Sequence, residues 1–75
     1  MKEKIAKIIE ELNSIIIDDY DKDLLASGMI DSFDIVNLVV EIEDAFDMEI
    51  DVELVTPENF KSINAIAEML EKSME

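Results

Sequence analysis

Apolar residues recur at helical spacing in three segments of this chain: Lys2 to about Ile16, Ser32 to Asp47, and Ile63 to about Met74. The repeating positions are Ile5, Ile8, Ile9, Leu12, Ile15 and Ile16 in the first segment, Ile35, Leu38, Val39, Ile42 and Phe46 in the second, and Ile63, Ile66, Ala67, Leu70 and Met74 in the last. Residues three and four apart lie on one face of a helix, so each segment predicts an amphipathic helix. Three such helices predict a bundle with a shared core.

The chain between the second and the last of these helices contains one further helix signal. Thr56 is a good N-cap residue and Pro57 suits the first helical position, so a helix is predicted to begin here. Ser62 offers another cap soon afterwards, which limits this short helix to about Pro57 to Lys61. Residues 49–54 alternate acidic and apolar side chains, as strands do, but the chain offers no second strand for them to pair with. We therefore expect no sheet.

A long acidic loop joins the first two helices. It runs from Ile17 to Ile30, and Leu24, Leu25 and Ile30 are its predicted apolar anchors to the core. Loops of this length in small domains are usually functional or fixed to the core. The chain has no internal repeat and no linker, so residues 1–75 are predicted to form a single domain. The expected fold is all-α: a small bundle of three main helices plus one short helix, with a long loop between the first and second helices.

The chain is strongly acidic. Twenty Asp and Glu residues and six lysines give a formal net charge of −14. Because nucleic acids and anionic membranes are also negatively charged, we expect the chain to bind neither and to favour partners with basic surfaces. The apolar content of 49% argues against disorder. No apolar run is long enough to insert into a membrane and the N-terminus does not resemble a signal peptide, so we expect a cytoplasmic monomer.

The composition excludes several kinds of catalytic site. The chain contains no His, Cys, Trp or Arg. It therefore cannot form a Ser-His-Asp or Cys-His nucleophile system, or a zinc site with thiolate or imidazole ligands. A chain of 75 residues is also too short to enclose a deep catalytic cavity. We expect a protein that is not an enzyme and that, if it takes part in chemistry, presents a substrate to another protein.

The acidic run DYDKD at residues 19–23 resembles the beginning of an EF-hand calcium loop. The sequence departs from that motif at two essential positions. Leu24 stands where the calcium loop needs glycine, and Ile30 stands where it needs glutamate. An EF-hand is therefore excluded and no metal site is predicted, although weak binding of divalent cations to the clustered acids is left open.

One hydroxyl group has a special place in the sequence. Ser32 lies in the stretch GMIDSFD, residues 28–34, at the predicted start of the second helix. Asp31 or Ser32 could simply cap this helix, which is the commonest role for such residues. A helix N-terminus also favours a bound phosphate, through its free N–H groups and its dipole. The two roles are compatible, because Asp31 can cap the helix while Ser32 carries a phosphate ester.

The second helix carries more apolar residues than one core face requires. A second face, which we call the docking face, lies almost opposite the core residues and consists of Phe33, Val36, Val40, Glu43, Asp44 and Asp47. Single exposed apolar residues are common, and the helix could also be buried on two sides. Three apolar residues on one charged face form a patch, however, which favours a docking surface with an apolar centre and an acidic rim.

The chain resembles the acyl carrier protein family, the phosphopantetheine-binding carriers that include peptidyl and D-alanyl carriers. The resemblance rests on the order of the helices, on Asp31-Ser32 at the start of the second helix, and on Phe46 and Ile50 near its end. It covers residues 5–70. Phe33 departs from leucine, the family's commonest residue after the serine, but remains apolar.

This resemblance implies that a 4'-phosphopantetheine group is attached to Ser32, with Asp31 as the second residue of the cofactor-binding site. A phosphopantetheinyl transferase would supply it from coenzyme A in the presence of Mg²⁺, and its thiol would hold an acyl or aminoacyl group as a thioester. The transferase, and the loading and synthase enzymes with basic surfaces, would bind the docking face. Carriers of this family can also shelter an attached chain between their helices, and the lining here would be Val39, Ile42, Phe46 and Ile50.

The resemblance leaves the cargo open. Residues 27–30, SGMI, are closer to those of peptidyl and D-alanyl carriers, whereas the acidic second helix is closer to that of fatty-acid carriers. We therefore retain both fatty-acid biosynthesis and a specialised peptide- or polyketide-like pathway. The alternative from a different class is an unmodified acidic helical module that binds a basic partner protein.

Overall fold

The computed structural model describes residues 1–73, and over this range the chain is helical, without strands. Helix α1 comprises Lys2–Asn13, α2 comprises Ser32–Phe46, α3 comprises Pro57–Phe60 and α4 comprises Ile63–Ser73, and a 3₁₀ turn comprises Val52–Leu54. The predicted bundle of three main helices and one short helix, with a long loop after α1, is confirmed. The predicted core position Met74 lies outside the described residues. No helix within residues 1–73 has both the length and the apolar character that crossing a bilayer requires.

The apolar faces of α1, α2 and α4 meet in a common core, in which α1 packs against both of the other long helices. The most deeply buried side chains are Ile5, Ile9, Leu24, Leu38, Ile42, Phe60, Ile63, Ile66 and Leu70. They include one residue of the long loop and one of α3, so these two segments also contribute to the core. The loop and α3 therefore help to stabilise the fold by burying apolar side chains, as the three long helices do.

The long loop follows a fixed path. Leu24 and Ile30 are buried, as predicted, and Leu25 is half-buried. The Leu24 N–H donates to the Lys61 carbonyl at 2.6 Å, and the Ile30 N–H donates back to the Leu24 carbonyl at 3.1 Å. Between them Gly28 turns the chain with a φ of 81°, a left-handed conformation that favours glycine. The loop therefore delivers the chain to the start of α2 from an anchored position.

Helix α1 is shorter than its apolar pattern predicts. It ends at Asn13, so the prediction that it extends to about Ile16 is wrong, and Ile16 is 83% exposed. Ser14 takes a left-handed conformation with a φ of 55°. Asn and Ser side chains compete for backbone hydrogen bonds, which favours a helix end at this point. The Glu10 carboxylate then accepts the Ile17 N–H at 2.7 Å, which fixes the chain as it leaves the helix.

Helix α2 ends in the same way, one residue earlier than predicted. Asp47, expected to be its last residue, follows the helix with a left-handed φ of 51°. The Ile50 N–H donates to Glu43 Oε2 at 2.8 Å, just as Ile17 donates to Glu10 seven residues before it. Both isoleucines are buried. Each glutamate therefore turns the departing chain so that an apolar side chain enters the core.

The predicted start of α3 is confirmed, because the Thr56 hydroxyl accepts the Asn59 N–H at 3.4 Å and Pro57 occupies the first turn. The helix ends at Phe60, one residue before the predicted end. Residues 49–54 form no strand, as expected, but Val52–Leu54 form a 3₁₀ turn that was not predicted. The Asp51 carboxylate caps this turn, which gives residues 51–54 a local alternative to extended structure.

Removing the Glu43 carboxylate should weaken the fold, because it leaves the half-buried Ile50 N–H without its acceptor. We expect Glu43→Ala to lower the free energy of unfolding by about 1–2 kcal/mol, measured by urea denaturation followed by circular dichroism. The control is Asp44→Ala, which changes the exposed residue next to Glu43 in the sequence. We expect it to change the free energy of unfolding by less than about 0.5 kcal/mol. Equal effects of the two substitutions would contradict the role assigned to Glu43.

Self-repulsion between acids should make the fold sensitive to salt. Within residues 1–73 only two ion pairs form, Met1–Glu3 at 3.7 Å and Lys72–Glu68 at 3.8 Å. Most of the net charge of −14 is therefore uncompensated. Because ions screen such repulsion, we expect the Tm of the unmodified protein to rise when NaCl or MgCl₂ is added from low to moderate concentration. The Tm is measured by differential scanning calorimetry, and a Tm that stays constant or falls as salt is added would contradict the prediction.

Candidate functional site

Two carboxylates complete the first turn of α2. Asp31 Oδ1 accepts the N–H groups of Phe33 at 2.9 Å and of Asp34 at 3.0 Å. In return, Asp34 Oδ2 accepts the N–H of Asp31 at 3.0 Å. This reciprocal capping box provides acceptors for N–H groups that have no partner within the helix. Asp31, one of the two residues that the sequence suggested as the cap, therefore caps α2.

Ser32 is the first residue of α2, and its side chain is exposed. Among the hydrogen bonds of residues 1–73, none involves its hydroxyl, because the capping role belongs to Asp31. The hydroxyl lies at the positive end of the helix dipole, where a phosphate ester is favoured. The side chain is therefore available for covalent modification without loss of a structural contact.

Asn13 connects this turn to the end of α1. Its side-chain amide donates to the Met29 carbonyl at 2.9 Å and to Asp34 Oδ2 at 3.1 Å. One residue of α1 thus contacts the chain on both sides of Ser32. The sequence analysis missed this role of Asn13, whose only signal is a polar side chain next to an apolar helical pattern.

The apolar centre of the docking face is open to solvent. Phe33 is 82% exposed, Val36 63% and Val40 58%. The opposite side of α2 carries the buried residues Ile35, Leu38 and Ile42. The predicted separation of the helix into a core face and an exposed apolar face is therefore confirmed. That partner proteins bind the exposed face remains a prediction.

The acids of the docking face differ in their surroundings. Asp44 and Asp47 are exposed, whereas Glu43 is half-buried and its Oε2 atom holds the Ile50 N–H. Glu43 was predicted only as a residue of the acidic rim, and the structure adds a structural role for it. The exposed charge on this face is therefore concentrated at Asp44 and Asp47.

The four residues predicted to line a shelter for an attached chain belong to the packed interior or its edge. Ile42 and Ile50 are buried, and Val39 and Phe46 are half-buried against the core. The Lys4 ammonium of α1 lies 4.9 Å from the centre of the Phe46 ring and donates to the Ala45 carbonyl at 3.0 Å. The four side chains thus belong to the core or pack against it. Their role as a lining remains a prediction.

Asn64 of α4 forms hydrogen bonds with the acidic loop. The Asn64 backbone N–H donates to the Tyr20 carbonyl at 3.0 Å, and the Asn64 side-chain amide donates to Asp21 Oδ1. In residues 1–73, no group of three or more His, Cys, Asp or Glu side chains is arranged to hold a metal ion. The structure thus shows the loop acids in contacts with neighbouring protein groups, including the Asp23 carboxylate, which accepts the Ala26 N–H at 2.9 Å.

Comparison with known proteins identifies the family of this chain. A family model described as a phosphopantetheine attachment site matches residues 2–70. The chain is also similar to the D-alanyl carrier proteins of Bacillus cereus (strains B4264 and ATCC 10987 / NRS 248) and of Bacillus anthracis (strain CDC 684 / NRRL 3495). Each is 30% identical over 73 residues, which is 95% of this chain and 92% of the relative.

The family match covers α1, α2 and α3 in full and α4 as far as Leu70, and it includes the start of α2. Carriers of this family are not enzymes. They bear a covalently bound 4'-phosphopantetheine group and interact with the transferase that attaches it and with biosynthetic enzymes. The chain belongs to the family of phosphopantetheine-binding carrier proteins.

Proposed function

We propose that this carrier bears its 4'-phosphopantetheine on Ser32. The observation that carries the proposal is the exposed Ser32 hydroxyl beside a complete Asp31–Asp34 capping box. A serine needed as the cap would have its oxygen committed to backbone N–H groups. In this structure the carboxylates of Asp31 and Asp34 accept the backbone N–H groups, and the Ser32 hydroxyl stays available as a nucleophile.

The residues around Ser32 fit a phosphodiester and its arm. The side chain is exposed, so an attached group can extend into solvent without displacing the core. The N-terminal turn of α2 favours negative charge through its dipole. When bound, the group supplies a thiol, which can form thioesters. The chain itself has no thiol, because it contains no cysteine.

The docking face is proposed to bind the phosphopantetheinyl transferase and the enzymes that load and use the carrier. Its apolar centre begins at Phe33, next to the proposed attachment point, so a partner bound there has its active site close to Ser32. Exposed Asp44 and Asp47 at the far end of α2 complement a basic partner surface. The apolar contacts should govern the lifetime of the complex, and the acids its rate of formation.

For the cargo, we propose a small acyl or aminoacyl group used in a specialised pathway. Two observations support this. The similar Bacillus proteins are D-alanyl carriers, and Ile42 and Ile50 are buried in a packed core rather than facing an open cavity. A small polar cargo needs no apolar shelter. A fatty-acyl cargo, lined by Val39, Ile42, Phe46 and Ile50, is the alternative, and an unmodified module that binds a basic protein is the alternative from a different class.

Incubation with coenzyme A, Mg²⁺ and a broad-specificity transferase tests the attachment site. We expect wild type to gain the mass of one phosphopantetheine group, measured on the intact protein. Ser32→Ala should keep the unmodified mass and an unchanged Tm, because Asp31 still caps the helix. Ser27→Ala is the matched control, a nearby serine whose hydroxyl donates to Leu24, and it should be modified fully. An unmodified wild type with an active transferase, or a modified Ser32→Ala, would refute the proposal.

Substitution on the docking face should slow this transfer without unfolding the protein. We expect Val40→Lys to lower kcat/KM for transfer by at least about fivefold, the effect of losing roughly 1 kcal/mol at an interface. Val52→Lys is the matched control, since Val52 is 81% exposed in the 3₁₀ turn and lies outside this face. Its kcat/KM should equal that of wild type. Circular-dichroism melts should show both variants folded, whereas Ile42→Lys, which buries a charge, should lower the Tm strongly.

The acids of the same face provide a second arm of this test. Asp44→Lys should reduce the transfer rate mainly at low salt, because screening weakens long-range attraction. Asp44 is a better probe of charge than Glu43, which also holds the Ile50 N–H. A transfer rate that is equally low for Val52→Lys would show that the loss is not specific to the docking face. A Val40→Lys variant that unfolds would show that Val40 belongs to the core rather than to the exposed face of α2.

A further inference from the structure

We propose that Asn13 is a positioning residue for phosphopantetheine transfer, acting on Ser32 through the first turn of α2. The proposal rests on the proposed attachment at Ser32. Asn13 belongs to α1 and does not lie on the docking face, so a partner bound at that face has no need to contact it. Its effect on the reaction is therefore transmitted through the carrier's own structure.

Both N–H groups of the Asn13 amide are engaged. One donates to the Met29 carbonyl at 2.9 Å, two residues before Asp31, and the other donates to Asp34 Oδ2 at 3.1 Å. The same Asp34 oxygen accepts the Asp31 N–H at 3.0 Å. One amide of α1 thus holds the chain that enters α2 and the carboxylate that closes the capping box, with Ser32 between these two points.

This arrangement matters because the first turn of a helix is its weakest part. Its N–H groups have no partners one turn earlier and depend on side-chain acceptors. The Asp34 carboxylate can serve as an acceptor only while its side chain is kept turned towards the Asp31 N–H. The Asn13 contact, from a side chain that is itself half-buried, restricts that rotation. The position of the Ser32 backbone, and with it that of its Cβ atom, is fixed by the same contacts, since Ser32 lies within this turn.

The preference of asparagine for a helix end does not account for its two contacts with the start of α2. Asparagine is a weaker helix former than alanine, and Asn13 is the last residue of α1. Asn13→Ala should therefore leave α1 intact while removing both hydrogen bonds. Asn13→Asp keeps the size of the side chain, removes both donors and places a second carboxylate against Asp34. It should have the larger effect of the two.

Steady-state kinetics of the phosphopantetheinyl transferase, with the unmodified carrier as the varied substrate, separates positioning from docking. We expect Asn13→Ala to lower kcat about five- to tenfold, the rate effect of about one hydrogen bond lost to misorientation, with KM within about twofold of wild type. KM is preserved because the docking face is unchanged. Asn59→Ala is the matched control: its half-buried amide donates to the Leu54 carbonyl at 2.8 Å, far along the chain from Ser32. Its kcat should equal that of wild type.

Amide hydrogen exchange, followed by nuclear magnetic resonance on the unmodified protein without any transferase, provides an independent readout. In Asn13→Ala and Asn13→Asp, the N–H groups of Asp31, Phe33 and Asp34 should exchange faster than in wild type. The Ile50 N–H, held by Glu43 at the other end of α2, should be unaffected.

Three results would overturn the proposal: exchange at the first turn unchanged in both variants, a raised KM with unchanged kcat, or an equal loss of kcat in Asn59→Ala. Failure of the proposed attachment site looks different. In that case wild type itself gains no phosphopantetheine at Ser32, while the exchange experiment still reports whether Asn13 holds the first turn of α2.

Discussion

The N–H groups in the first turn of α2 have no partners within the helix, and two carboxylates supply the acceptors that they need. Asp31 takes two of these groups, and Asp34 takes the N–H of Asp31. The serine between them is therefore released from capping and keeps its hydroxyl in solvent. Asn13 extends this network into α1, so that the presentation of Ser32 depends on the packing of two helices. Capping of the α2 N-terminus by carboxylates thus leaves the Ser32 hydroxyl without a role in holding the helix.

The acidic residues of this chain differ in their surroundings, a difference that composition alone does not show. Some acids hold the backbone: Glu10 and Glu43 accept N–H groups from the chain that leaves α1 and α2, and Asp51 caps the 3₁₀ turn. Others, such as Asp44 and Asp47, are exposed and make no such contact within residues 1–73. Under the proposed function, these exposed acids are the ones that a basic partner would contact directly. A net charge of −14 therefore overstates the charge that a partner meets at the docking face.

Local patterns predicted the elements that local physics determines. The start of α2, the cap at Asp31 and the exposed Val40 follow from helical spacing and from the preference of acids for helix N-termini, which act within a few residues. The end of α1 was predicted too late because the apolar pattern continues to Ile16 after the backbone has left the helix. The contacts of Asn13 join residues 16 and 21 positions apart. Contacts between residues so far apart in the sequence depend on how α1 packs against α2, and a short-range sequence pattern carries no information about that packing.

The most direct test of the account is to locate the modification within the chain. The wild-type protein, modified by a transferase and then digested, is analysed by fragmentation mass spectrometry. The account predicts that the added mass lies on the peptide containing Ser32, and that fragments assign it to that residue. Attachment to Ser14, Ser27, Ser62 or Ser73 would contradict the account, because the capping box of α2 would then have no connection with the carrier's chemistry.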